Sequence, residues 1–259
     1  MPAPGTTCVA RYRRRVAASE ERVWENVRDW EHLPWLHAAS FRSIALEDEG
    51  DFGWRARIGL HPEGEIRLEL AIEADAGRYV SRTLAGVGAG SEIWTHVAPA
   101  DDGATDVDVA FWLPDVDPAQ AASLGDAYVR LYTRLWDEDE AMMRRRASEL
   151  ARPLAPAAAR DRRRLGRARE LRERLPLCFE WAGAPWRLID LDGALVAHAA
   201  RCPHRYGPLD AARIEGGLVT CPWHGWRFDL PSGAALDGRR ARLATPPRVE
   251  VAGGEVWIS

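Results

Sequence analysis

The hydrophobic and polar positions of the first half fall into six short β-like runs: Phe41–Glu47, Phe52–Leu60, Glu65–Glu73, Arg78–Leu84, Ser91–Ala98 and Thr105–Leu113. Stretches such as Asp48-Glu49-Gly50-Asp51 and Asp101-Asp102-Gly103 separate them with turn chemistry. Upstream the pattern changes. Ser19 followed by Glu20 and Glu21 reads as a capped helix start with acids in its first turn, and Val23, Trp24 and Val27 continue at helical spacing until Pro34 bends or breaks the segment. Downstream, Leu124, Tyr128, Leu131, Leu135 and Met142 recur at steps of three, four or seven, which predicts one long helix from about Pro118 to Leu150.

The order β-αα-β(6)-α over residues 1–150 resembles the helix-grip, or START-like, ligand-binding fold. That resemblance implies an α+β domain whose sheet curls around the last helix and leaves a cavity between them. Residues 151–175 read as a junction. Arg152-Pro153-Leu154-Ala155-Pro156 interrupts the helix, and nine arginines stand against Asp161, Glu170 and Glu173. Leu165, Ala168, Leu171 and Leu175 recur at three or four residues, so a basic amphipathic helix is expected there: a solvated connector or a docking arm for an acidic partner. From residue 176 on, short strands dominate, at Trp186–Leu191, Leu195–Ala199, Gly217–Cys221, Trp226–Asp229 and Glu255–Ile258, giving a small all-β domain over residues 176–259.

Composition narrows the possibilities. A net charge of −4 over 259 residues points to neither nucleic acid nor an anionic membrane as partner. No stretch approaches the roughly 18–20 apolar residues that span a bilayer. Arg13-Arg14-Arg15 is followed by Val16-Ala17-Ala18-Ser19-Glu20-Glu21, which is no export core, so a cytoplasmic protein is expected. In that setting the four cysteines, Cys8, Cys178, Cys202 and Cys221, favour metal ligation over disulfides wherever two are closely patterned.

Two of them are. The chain reads Cys202-Pro203-His204, then sixteen residues, then Cys221-Pro222-Trp223-His224. A structural zinc site also accepts two cysteines and two histidines, but usually pairs Cys with Cys and His with His. One Cys and one His from each of two loops is what a Rieske centre asks for, with two thiolates on one iron and two imidazoles on the other. Gly207 and Gly225 would let the backbone approach the sulfides. Residues 177–259 resemble a Rieske domain throughout. The positions that carry a disulfide in respiratory-complex Rieske proteins are Gly207 and Trp223 here, so the resemblance is to the lower-potential ferredoxin and oxygenase branch. It implies a [2Fe–2S] cluster on Cys202, His204, Cys221 and His224. Cys8 and Cys178 have no ligand partner nearby in sequence and read as plain thiols.

A second pattern lies in the first half. Asp29-Trp30-Glu31-His32-Leu33-Pro34-Trp35-Leu36-His37 has the spacing D-x₂-H-x₄-H. Positions five apart diverge on a straight helix, but a bend at Pro34 would let His32 and His37 converge. The spacing resembles the segment of Rieske non-haem iron oxygenases that supplies two histidines to a catalytic Fe(II). There the aspartate, Asp29 here, links cluster and iron by hydrogen bonds. A third ligand is an acid of the last helix. Within Asp137-Glu138-Asp139-Glu140, Asp139 continues the apolar stripe from Leu131 and Leu135, where a carboxylate is costly unless paired or bound to metal. Asp137 and Glu140 fall on outer faces, and Glu138 is the substitute. Without a metal, His32 and His37 would be polar residues of a cavity wall.

The expected function is thus a Rieske-type oxygenase of inverted domain order, using O₂ to hydroxylate or demethylate an aromatic or cyclic hydrophobic molecule. A reductase or ferredoxin would donate electrons, and the resemblance implies a homo-oligomer, typically a trimer. Trp30, Trp35, Trp94 and Trp112 are candidates to wall the cavity, with His61 and His96. Gly86-Val87-Gly88-Ala89-Gly90 precedes a strand and not a helix, so it reads as a hairpin turn and not a dinucleotide loop. The alternative is a hydrophobic-ligand-binding protein whose Rieske domain carries electrons or senses redox state without catalysis.

Overall fold

The computed structural model describes residues 1–152 and 162–259, which divide into two compact units, Met1–Ala147 and Ser148–Ser259.

In the first unit, β1 (Thr6–Val16) leads into α1 (Glu20–Arg28), a single 3-10 turn at Trp30–His32 and the short α2 (Leu33–Leu36). Six strands follow: β2 (Phe41–Gly50), β3 (Gly53–Leu60), β4 (Glu65–Glu73), β5 (Arg78–Gly86), β6 (Glu92–Pro99) and β7 (Thr105–Pro114). All seven form one antiparallel sheet in the order β1-β7-β6-β5-β4-β3-β2. The six runs read from the sequence each become one of these strands. The long helix α3 (Ala121–Leu150) comes last, three residues later than expected at its start. This is the helix-grip arrangement. The sheet packs one face on α1 and α3, with Ile58, Phe111, Trp136 and Met143 in its core.

Two local features fix how α3 lies on the sheet. Gly125 is buried, and a Cβ there would come within 2.4 Å of the Val9 carbonyl oxygen, so glycine lets the helix touch β1 where that strand's register slips between Cys8 and Ala10. Further along, Arg14 of β1 binds Glu140 and Asp137 at 2.5 Å each. Those two acids are on the outer side of α3, as the periodicity implied, and the double ion pair sets the helix rotation that turns Asp139 inward.

The described residues of the second unit form three small three-stranded sheets. Its elements are β8 (Arg163–Arg167), α4 (Ala168–Arg172), β9 (Leu177–Trp181), β10 (Ala184–Leu191), β11 (Ala194–Ala199), β12 (Ile214–Glu215), β13 (Leu218–Thr220), β14 (Arg227–Asp229), β15 (Val249–Ala252) and β16 (Glu255–Ile258). The helix expected over the junction is corrected here. Part of that stretch lies outside the described residues, and the rest forms a strand followed by a short helix. β8 pairs antiparallel with β16, and that pairing outweighs the helical spacing of its leucines. The leucines are nonetheless inward. Leu171 is buried with Leu188, Leu195 and Val256, and Leu165, Ala168 and Leu175 pack around them.

Candidate metal centres and the cavity

The two Cys-His segments of the second unit fold into turns with the same backbone pattern. In the first, the Cys202 N–H donates to the Gly207 carbonyl at 2.9 Å and the Tyr206 N–H donates to the Cys202 carbonyl at 3.0 Å. In the second, the Cys221 N–H donates to the Trp226 carbonyl at 2.8 Å and the Gly225 N–H to the Cys221 carbonyl at 2.9 Å. The offsets from each cysteine are identical. The residue four past each cysteine is left-handed, Tyr206 at φ 62° and Gly225 at φ 66°. Glycine adopts that conformation freely, whereas Tyr206 pays roughly 1 kcal/mol for it. The histidines break the symmetry, His204 lying two residues after its cysteine and His224 three.

All four side chains converge. Cys202 and Cys221 are fully buried, and the His204 and His224 ring centroids are 4.6 Å apart. Trp226 stacks flat on His204, centroid to centroid at 4.2 Å. A hydrogen bond from Cys202, against the opposing effect of burial and assisted by His224, draws Cys221 down to about 5; the same contact and burial push Cys202 up. Binding a cation would convert the two facing sulfurs to thiolates. A Cβ on Gly207 would sit 2.6 Å from Cys221 Sγ and 3.3 Å from the Trp223 ring, so the backbone itself forms one wall of the cradle. The donor set and this close backbone fit a [2Fe–2S] cluster.

In the first unit the segment from Asp29 to His37 is a helix break. Asp29 ends α1 at φ −90° and ψ 82°, the 3-10 turn follows, and Pro34 sits in the first turn of α2, where its missing N–H costs nothing. His37 then caps α2. His32 and His37, unable to share a face of one straight helix, meet with ring centroids 5.1 Å apart. Asp139 reaches them from α3. Its Oδ1 is 3.4 Å from His32 Nε2 and 3.1 Å from His37 Nε2, and it accepts a 3.0 Å hydrogen bond from Asn26 Nδ2. One ligand atom from each of the three buried residues lies within 4.8 Å of the others.

Electrostatics hold this group together. Burial alone would lower the His37 pKa, but the hydrogen bonds and charges of Asp139 and Glu138 outweigh it and raise it. Burial would raise Asp139, yet His37, His32 and Asn26 together lower it. Glu138 is not the third member of the group. Its Oε2 is 2.6 Å from His37 Nδ1, so the carboxylate accepts a hydrogen bond from Nδ1–H while Nε2 faces Asp139. A carboxylate on the far nitrogen of a ligating histidine is the usual support for a metal-binding imidazole. Two imidazoles, one carboxylate and that support fit a divalent transition metal better than they fit a cavity wall.

These residues close one end of a cavity of about 300 Å³ between sheet and α3. Asp29, buried, also lines it. The expected tryptophans do not. Trp30, Trp35, Trp94 and Trp112 lie elsewhere, Trp35 being 46% exposed, and His61 and His96 are likewise absent from the lining. Trp54 and Trp136 take the role instead. Trp54 is held there by its indole N–H, which donates to the Val27 carbonyl at 3.1 Å. Its alternating position on β3 was the available signal. The glycine-rich 86–90 turn does border the cavity, through Val87 and Gly88.

Comparison with known proteins agrees with the cluster geometry. Residues 162–247 match the model of the Rieske [2Fe-2S] domain. This part of the chain is a Rieske domain. Curated relatives align over the same region. The oxygenase subunit of 3-chlorobenzoate-3,4-dioxygenase from Comamonas testosteroni is 36% identical over 99 residues, 31% of this chain and 23% of that protein. The 4beta-methylsterol monooxygenase of Methylococcus capsulatus is 50% identical over 40 residues, 15% of this chain and 11% of that protein. The alignments thus span a quarter or less of these relatives. Among solved structures, the Zhui aromatase/cyclase from Streptomyces sp. R1128 superposes with a TM-score of 0.47 at 14% identity, covering 55% of this chain and 96% of that one.

The Rieske domain begins earlier than the sequence pattern placed it, since β8 is one of its strands. Gly207 packs against the Trp223 ring within the cluster turns, and Cys8 and Cys178 form no disulfide. Among the described residues, no helix is long and apolar enough to cross a membrane.

Proposed function

We propose that this chain is the oxygenase component of a Rieske-type system in which the Rieske domain follows the substrate-binding domain. Its reaction would be O₂-dependent hydroxylation or demethylation of a hydrophobic aromatic or cyclic molecule. The observation that carries this reading is the convergence of His32, His37 and Asp139 at the end of an apolar cavity. Fe(II) held by these three residues would supply open coordination positions for activating dioxygen, and the [2Fe–2S] cluster would supply electrons one at a time.

The chain's own groups prepare the site. Glu138 fixes the tautomer of His37, and Asn26 fixes the carboxylate of Asp139. Apolar side chains such as Ile58, Leu70 and Leu135 keep bulk water from the reacting end. Asp29 is the residue proposed to bridge cluster and iron. The electron donor is a separate reductase or ferredoxin, the assembly a homo-oligomer and the setting cytoplasmic.

Iron per chain tests the proposal. Anaerobically prepared protein should hold three irons; two, all in the cluster, would overturn it in favour of a ligand-binding protein with an electron-transfer domain. The His32→Ala/His37→Ala variant should keep its Rieske spectrum and lose substrate-coupled oxygen uptake, and retained uptake would reject the triad.

A further inference from the structure

The cavity has two polar ends of different kinds. Asp139 and Tyr128 both line it and are eleven residues apart on α3, which places them on one face and about 16 Å apart along the axis. Leu131, Tyr132 and Leu135 fill the interval. The iron-binding residues close one end. At the other, Tyr128 meets Ser91 and Thr83 from the β5–β6 hairpin. Ser91 Oγ donates to the Gly88 carbonyl at 2.7 Å and lies 3.1 Å from Thr83 Oγ1, and Tyr128 lines the cavity with them. Ser81 and Thr83, two apart on β5, face the same side.

This far end is polar without being charged. The chain carries 35 basic residues, yet among the described residues that line the cavity there is no arginine. A carboxylate or phosphate placed there would lose its water and find no counter-ion. With the Ser91 proton committed to Gly88, the hydroxyl cluster keeps oxygen lone pairs free and has the Thr83 and Tyr128 protons to redirect. A ligand hydroxyl, which both donates and accepts, matches it. The volume is about twice the roughly 150 Å³ that holds benzene in an apolar cavity, which suits two or three rings.

We infer that the substrate of the proposed oxygenase site is a neutral two- or three-ring molecule with a hydroxyl at one end, anchored by Thr83, Ser91 and Tyr128 so that its opposite end faces His32, His37 and Asp139. This rests on the oxygenase reading for the chemistry but not for the binding, so the two are tested apart.

The full-length protein with its cluster assembled and no Fe(II) added is titrated calorimetrically with 4-hydroxybiphenyl, biphenyl and biphenyl-4-carboxylate. The hydroxyl compound should bind about five- to tenfold tighter than biphenyl, the worth of one net hydrogen bond, and the carboxylate weakest. The Thr83→Val/Ser91→Ala variant should bring 4-hydroxybiphenyl to within about twofold of biphenyl, with biphenyl itself unchanged. Tyr128→Phe, which keeps the ring packing on Phe111, should reduce the preference independently. Carboxylate binding equal to that of the hydroxyl compound, a preference that survives in both variants, or no binding by any of the three would overturn the inference. A chain with two irons that still shows the hydroxyl preference would sink the oxygenase reading and leave this one standing.

Discussion

In the Rieske domain the four side chains proposed to hold the cluster, Cys202, His204, Cys221 and His224, come from two short turns, Cys202 to Gly207 and Cys221 to Trp226. The site in the first unit draws on a helix break at residues 29–37 and on a helix a hundred residues later. In the turns, backbone hydrogen bonds at fixed offsets place each cysteine whatever the rest of the chain does. In the helix break, nothing local brings Asp139 to the histidines. That depends on how α3 is rotated on the sheet, which Gly125 against β1 and Arg14 on Glu140 and Asp137 decide. A locally encoded site is robust to distant change, whereas a site assembled by packing inherits every error in that packing. The buried histidines make the same contrast. His37 is raised by two carboxylates, while burial, with the charge of Arg187 adding to it, lowers His198 in the Rieske domain to about 4.

The largest test of that contrast is reciprocal removal. Cys221→Ser should abolish the cluster's visible and EPR signals completely while leaving Co(II) or Fe(II) uptake at the first-unit site intact. Asp139→Ala should do the reverse. Loss of both metals in either variant would mean that the two sites are not independent.

A smaller effect sharpens the comparison of the histidines. The His198 Nδ1–H donates to the Ala199 carbonyl at 2.9 Å, and its buried Nε2 has no partner. Its folded pKa lies below its ordinary 6.5, so the unfolded chain takes up the proton first as pH falls. The stabilisation is therefore complete above about pH 6.5 and is lost on falling through about 4, amounting to roughly 3 kcal/mol across that window. Denaturant unfolding of the full chain, followed by cluster absorbance, should show this slope, and His198→Gln should flatten it. Equal slopes would assign the acid sensitivity to other groups.

The smallest expected change is at Glu138. Glu138→Ala should weaken Co(II) binding at the first-unit site about 10- to 100-fold, with the Rieske spectrum unaltered and Glu138→Gln intermediate. An unchanged affinity would make the contact with His37 incidental to metal binding.

Much of this was legible in the residue pattern. The six runs from Phe41 to Leu113 became β2–β7 because half-buried strands carry their own apolar signature. The stripe from Tyr128 to Asp139 lines the cavity because helical spacing depends only on the helix itself. The tryptophans were less legible. Trp54 and Trp136 reach the cavity while Trp30, Trp35, Trp94 and Trp112 do not, since an aromatic side chain's direction depends on strand register and neighbours. The junction misled for a related reason. Leucines three and four apart suit a helix, but β8 found β16 as a partner far along the chain, with Glu255 opposite Arg167 and accepting a 2.6 Å hydrogen bond from Arg164 Nε.

The sequence by itself determined the two turns proposed to hold the cluster, because within each turn the Cys, the His and the backbone hydrogen bonds lie within a few residues of each other. Only the tertiary structure decided that Asp139 meets His32 and His37, that Glu138 supports and does not replace it, and that the cavity's far end is lined by neutral hydroxyls. Each of these depends on distances between elements far apart in the chain, and those distances are set by how the helix and the sheet pack their buried faces.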